Sequence, residues 1–168
     1  MNTRKLLLLD RDGVINEKAA DGDYVKSIRE LNVYSNVIES VALASLKFHV
    51  SIVSNQQGVG KGVMSKASVE MIHEHINKLV NHQGGEAIRF YYCEHLESVN
   101  CSCRKPKPGL LFRAMKDHFV TSKDTFFIGD QDSDKEAADA AGVKFFRTVS
   151  SVNTVNIMRK ILEGQSVN

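Results

Sequence analysis

Long apolar runs are missing from this chain. No stretch approaches the ~20 consecutive apolar residues of a membrane helix. The N-terminal run, LLLL at 6–9, stops at Asp10. Neither a secretory signal nor a lipid anchor is expected there, so a cytoplasmic protein is. Proline is scarce: 2 prolines and 11 glycines in 168 residues exclude collagen-like and linker-dominated chains. Excess charge is missing too. Lys+Arg 22 against Asp+Glu 20 gives +2, too balanced for nucleic-acid binding by counterion release, so no nucleic-acid partner is expected. Cysteine occurs only 3 times, an odd number in a chain without an export signal, which argues against a disulfide framework.

What is present suits a globular protein. Hydrophobic residues make up 42% and charged residues 25%, an ordinary balance. The length predicts one domain over residues 1–168. Short unbroken apolar runs at 5–9, 49–53, 87–93, 125–128 and 143–147 read as strands buried on both faces. Helical spacing at 36–46, 65–79, 109–119, 134–141 and 155–162 fills the intervals, with Ser65 as an N-cap and Gly142 as a C-cap. Strands alternating with helices predict an α/β fold, a doubly wound parallel sheet. A site in such a fold lies beyond the carboxyl ends of the strands.

The strand ends are where the ligand-type residues fall. Asp10-Arg11-Asp12-Gly13 follows the first strand, Ser54-Asn55-Gln56 the second, Cys93-x-His95 the third and Gly129-Asp130 the fourth. Asp10 and Asp12, two apart, face the same side of an extended backbone, and Arg11 the other, where it has no chemical role. With Asp130 they make a carboxylate cluster that needs a cation, and hard oxygen ligands suit Mg²⁺ shared with a phosphate. Ser54, Asn55, Arg104 and Lys105 supply donors and charge for a phosphoryl group. GVGKG at 58–62 is not a Walker loop, because Gly62 follows Lys61 where Ser or Thr is required. Cys93, His95, Cys101 and Cys103 form a Cys₃His set, the donors of a closed structural zinc site, leading straight into Arg104-Lys105. The remaining histidines, His49, His73, His75, His82 and His118, read as surface or helix-face residues.

Four motifs in order, DRDGVIN at 10–16, SNQ at 54–56, RKPKPG at 104–109 and GDQDSD at 129–134, resemble the haloacid dehalogenase superfamily of phosphatases. The Cys₃His loop before RKPKPG narrows the resemblance to a zinc-loop subgroup acting on heptose 1,7-bisphosphate or on histidinol phosphate. DRDGVIN followed by YVKS at 24–27 is closer to the heptose branch, which supplies nucleotide-activated heptose. Glu94 and Ser102 depart from the subgroup's usual Pro and Asp.

The resemblance implies roles. Asp10 is the nucleophile that forms an aspartyl-phosphate, and Asp12 the general acid and base. Mg²⁺ falls to Asp10, the Asp12 backbone carbonyl and Asp130, with Asp134 behind them. Ser54 and Lys105 stabilise the transferred phosphoryl group. Asp21, Gly22, Asp23, Tyr24, Ser54, Asn55, Gln56 and Gln57 shape the sugar pocket, with Lys105 also touching substrate, and Arg104 meets the distal phosphate. Zinc falls to Cys93, His95, Cys101 and Cys103. No large cap domain fits the short segments after the first two strands, and a monomer is expected. A receiver-type phospho-switch would share the sheet and Mg²⁺. Its phosphorylated Asp would end the third strand, where this chain has Cys93.

Overall fold

The structure, a computed structural model, describes residues 4–164. Five strands and five helices alternate: β1 (Leu6–Leu9), α1 (Ser35–Ser45), β2 (His49–Asn55), α2 (Lys66–His82), β3 (Arg89–Cys93), α3 (Gly109–His118), β4 (Thr125–Gly129), α4 (Asp132–Ala141), β5 (Lys144–Arg147) and α5 (Ser151–Leu162). All strand pairs are parallel, in the order β3-β2-β1-β4-β5. The order reverses at β1. The crevice between β1 and its neighbours is therefore the expected place for a site.

The apolar run of β1 is explained by its central place. Leu7 and Leu9 pack with Val37, Val41, Ile72, Ile76, Ile157 and Ile161, from α1, α2 and α5. Leu6 and Leu8 pack on the opposite face with Leu110, Leu111, Ala137 and Ala138, from α3 and α4. A period of two sends alternate leucines to opposite layers, so a strand covered on both faces has no polar position.

The ends of the elements differ modestly from expectation. β2 runs on to Asn55, because Ser54 and Asn55 stay in register with Tyr92 and Cys93 of β3. α4 starts at Asp132, where Asp134 accepts from the Gln131 backbone N–H at 3.1 Å. α5 starts at Ser151, capped by Ser150, whose hydroxyl accepts from Asn153 N–H at 3.1 Å. Ser65 caps α2 and Gly142 ends α4 at φ 66°, both as expected. Segments 10–34 and 56–65 contain no helix or strand of their own beyond isolated bridges, so no large cap covers the sheet end. Among the described residues no helix is long and apolar enough to cross a membrane.

Candidate active site

The floor of the site is a buried ion cluster. Asp10 leaves the end of β1 still bonded to β4 through Asp10 N–H and Ile128 O, 3.0 Å. Lys105 Nζ lies 2.7 Å from Asp10 Oδ1, 2.6 Å from Asp134 Oδ1 and 2.9 Å from Val53 O. Asp134 is held by its other oxygen, which accepts from the backbone N–H groups of Asp130 and Gln131. Gly129 makes this possible: a Cβ there would stand 2.5 Å from Asp134 Oδ2. Burial pushes the Asp10 carboxyl up to about 7, with Lys105 opposing and Asp134 and Asp12 adding to the rise. Burial disfavours the Lys105 ammonium, yet Asp10 and Asp134 outweigh it and hold its pKa above the ordinary value.

Lys105 is positioned by its backbone as well. Asn55 Nδ2 donates to Lys105 O at 2.9 Å, and Lys105 N–H donates to Asn55 Oδ1 at 3.0 Å. The second strand end thus carries the lysine that serves the first.

Asp12 stands apart from this cluster, in a clamp of its own. Its Oδ1 accepts from Arg11 Nη2 at 3.0 Å and Asn16 Nδ2 at 2.9 Å, and its Oδ2 from Gln56 Nε2 at 2.9 Å. Burial works against ionisation, but the Arg11 charge and the hydrogen bonds from Asn16, Arg11 and Gln56 hold the carboxyl below the usual range. Here the expectation for Arg11 is corrected. It does not point away without a role: it is fully buried and ion-pairs with Asp12. The alternation rule fails because β1 ends at Leu9, before the motif begins.

Asp10, Asp130 and Asp134 offer carboxylate oxygens within 4.8 Å of one another. Asp134 lies in the same group, and its ion pair with Lys105 is the orienting contact expected of it. Asp130 Oδ1 is buried without a hydrogen-bond partner. With Asp12 paired to Arg11, three carboxyl groups face Lys105 and Lys18 among the described residues, and the floor is net negative when all three are ionised. A phosphate ester would be repelled there. A divalent cation would reverse the sign, and the all-oxygen donor set fits Mg²⁺.

The floor opens into a cavity of about 340 Å³, whose walls include Asp21, Gly22, Asp23, Tyr24, Asn55 and Gln56, as expected, together with Lys18, Gln131 and Ser133, which were not. Three expected residues are off its wall. Gln57 accepts from Glu97 N–H at 3.1 Å. Ser54 is buried, with Gln56 Nε2 donating to its hydroxyl at 3.3 Å. Arg104 lines an adjoining cavity of about 220 Å³ that shares Asn55, Lys105 and Ser133 with the first. Its Nη1 is buried and unpartnered. Gln131 and Ser133 belong to the GDQDSD motif and reach the wall with it, whereas Lys18 lies outside every motif and only folding brings it there.

Beside the site, Cys93 Sγ lies 3.5 Å from Cys101 Sγ and 3.4 Å from His95 Nδ1, while Cys103 Sγ lies 3.4 Å from Cys101 Sγ and 3.3 Å from His95 Nδ1. Tetrahedral zinc with the usual bond lengths needs about 3.6–3.8 Å along such edges, so the four donors fit the ion with little adjustment. Burial pushes the Cys93 thiol up to about 12, and the neighbouring thiols add to the rise. A cation is what would favour its thiolate. Lys107 donates to Cys101 O at 2.8 Å and to Asn100 O at 2.9 Å, so it ties the cysteine loop to the RKPKPG segment.

Comparison with known proteins gives the family and the fold. A family model described as HAD-hydrolase-like matches residues 102–160. The D-glycero-β-D-manno-heptose-1,7-bisphosphate 7-phosphatase of Pseudomonas putida is 39% identical over 143 residues, 83% of this chain and 79% of that protein. The histidine biosynthesis bifunctional protein of Legionella pneumophila is 36% identical over 143 residues, 84% of this chain but 40% of its own length. The crystal structure of D,D-heptose 1,7-bisphosphate phosphatase from B. bronchiseptica, complexed with magnesium and phosphate, shares the fold with a TM-score of 0.86 at 24% identity, covering 95% of this chain and 99% of that one. The chain belongs to the haloacid dehalogenase-like hydrolases and, within them, to the family of the heptose-1,7-bisphosphate 7-phosphatases.

Proposed function

We propose that residues 1–168 form a single-domain, Mg²⁺-dependent phosphatase that removes the 7-phosphate from D-glycero-D-manno-heptose 1,7-bisphosphate. One observation carries the reading: a buried carboxylate, Asp10, paired with a buried lysine, Lys105, beside a second, separately clamped carboxylate, Asp12. Phosphoryl transfer through a covalent carboxylate needs a nucleophile, a charge stabiliser and an acid-base group in that proximity.

Asp10 attacks phosphorus, and the bond from phosphorus to the sugar oxygen breaks. Asp12, in its protonated form, delivers its proton to that oxygen. Asp12 as carboxylate then takes a proton from the water that attacks the aspartyl-phosphate and frees Asp10. The clamp of Arg11, Asn16 and Gln56 favours the carboxylate, the form needed for the second half. Lys105 meets the charge on the phosphoryl oxygens. Ser54 can donate to the same group, since its own O–H proton has no acceptor among the described residues. Asp10, the Asp12 carbonyl and Asp130 would hold Mg²⁺, with Asp134 orienting Lys105 beside them, and the ion when bound supplies the positive charge that lets an anionic ester meet an anionic nucleophile. Cys93, His95, Cys101 and Cys103 would hold a structural zinc.

Asp21 to Tyr24, with Asn55 and Gln56, shape the sugar pocket, and Arg104 in the adjoining cavity takes the 1-phosphate. The near-balanced charge supports a small-molecule substrate with no nucleic-acid partner, and a cytoplasmic monomer is the reading that goes with the family likeness. Histidinol phosphate is the second reading, favoured only by the likeness to the histidine-biosynthesis protein. Side-by-side kcat/KM values for both anomers of heptose 1,7-bisphosphate and for histidinol phosphate test the assignment. A preference for histidinol phosphate would overturn it.

A further inference from the structure

Lys18 belongs to none of the four motifs, yet its ammonium ion-pairs with Asp130 Oδ2. The same oxygen accepts from Gln131 Nε2 at 3.0 Å, and Asp130 Oδ1 has no partner. Gly13 permits this approach. At φ +91° it sits so close that a Cβ would stand 2.6 Å from both Lys18 Cε and Asp130 Oδ2. The two ammonium groups at the floor are not alike. Lys105 is fixed by two carboxylates and a carbonyl in full burial. Lys18 has one ion partner, and its side chain is 44% exposed against 13% for Asp130.

The unpartnered Asp130 Oδ1 is open to a divalent cation, which would then share one carboxylate with the Lys18 ammonium on Oδ2. Two positive charges on one carboxylate repel each other and divide its charge, so Lys18 and the metal compete electrostatically for Asp130. Lys18 has a flexible stem and lines the wall of the same cavity as Asp10 and Asp12. A displaced Lys18 keeps its charge inside that cavity, where an anionic ester must enter.

We propose that Lys18 is a cationic arm that exchanges partners: it neutralises Asp130 until a divalent cation takes that carboxylate, and then meets the phosphate of the incoming substrate. Lys18 is thereby a substrate-positioning residue whose availability is coupled to the metal. The inference rests on the phosphatase reading above.

The test uses full-length protein dialysed into metal-free buffer without chelator, so that tightly held zinc is retained. Calorimetry then gives the Mg²⁺ affinity, and a second titration gives the affinity for inorganic phosphate on the Mg²⁺-loaded protein. Lys18→Met should bind Mg²⁺ roughly 2–5-fold more tightly and phosphate roughly 2–5-fold more weakly, the size of a partly exposed ion pair. Lys18→Arg, which keeps the charge, should stay close to the wild type in both. If either affinity of Lys18→Met equals that of the wild type, the exchange is wrong. Turnover of heptose 1,7-bisphosphate by the wild type, with and without Mg²⁺, is measured alongside. Failure there sinks the phosphatase reading, whereas an active, Mg²⁺-dependent wild type with unchanged Lys18→Met affinities sinks only the role of Lys18.

Discussion

Asn55 and Lys105, 50 residues apart, hold each other through two hydrogen bonds between the Asn55 side-chain amide and the Lys105 backbone. Asn55 is thus the link between the end of β2 and the lysine on the Asp10 carboxylate. Asn55→Ala should lower kcat about 10–100-fold, because a small displacement of a charge at the reacting centre is costly. Stability should fall by only ~1–3 kcal/mol, the worth of two ordinary hydrogen bonds. Steady-state kinetics and urea unfolding measure the two. A kcat within two-fold of wild type would show that Lys105 needs no such support.

Asp10→Asn should abolish turnover while the chain stays folded, since an amide is a poor nucleophile. Asp134 remains as a partner for Lys105, which preserves the buried ion pair. Circular dichroism checks the fold and phosphate release the activity. Retention of a tenth of the wild-type kcat would exclude a covalent intermediate on Asp10.

The purified protein should carry about one zinc per chain by elemental analysis. Cys101→Ser should lower zinc content and thermal stability together, because the binding energy of a structural metal is folding energy. The loop that carries it is tied by Lys107 to the segment holding Arg104 and Lys105, so activity should fall as well. Metal-free protein with unchanged Tm and activity would rule out a structural zinc.

Arg104→Ala should reduce kcat/KM for the bisphosphate about 10–100-fold, taking ~1.5–3 kcal/mol for a charged hydrogen bond. A small monophosphate should be affected much less, because Arg104 lies in the adjoining cavity and not on the floor. Equal losses on both substrates would mean that Arg104 serves the reacting phosphate or the fold.

Two histidines should make the protein sensitive to acid. His73 is buried against Phe90 at 4.3 Å, and burial, with the Arg11 charge adding, pushes it down to about 3. His118 stacks on His49 at 4.7 Å, and burial first, then His49 and Arg89, push it down to about 4. An unfolded chain takes up these protons near pH 6.5, whereas the folded chain resists until much lower pH. Their contribution to stability is therefore full above about 6.5 and is lost as pH falls toward 4. Urea unfolding at pH 7.5 and 4.5 should show a smaller difference for a His73→Leu, His118→Gln variant than for wild type. Equal differences would remove these residues as the cause.

The sequence alone reads as a doubly wound sheet, since short apolar runs alternate with helical spacing along it, and LLLL at 6–9, with no polar position, suits a strand covered on both faces. It also determined the acidic floor and the Cys₃His group, because ligand-type residues cluster right after the strands. How those residues share their partners is set by long-range contacts in the folded chain. Arg11 escapes the strand alternation, which no longer holds past Leu9, and the turn swings its guanidinium onto Asp12. Asp134 joined Asp10 because Gly129 leaves room for its carboxylate beside β4. Lys18 on Asp130 and Asn55 on Lys105 join segments 112 and 50 positions apart. Local propensity and spacing describe the chain over a few residues, whereas such contacts exist only once the sheet has brought its strand ends to one edge.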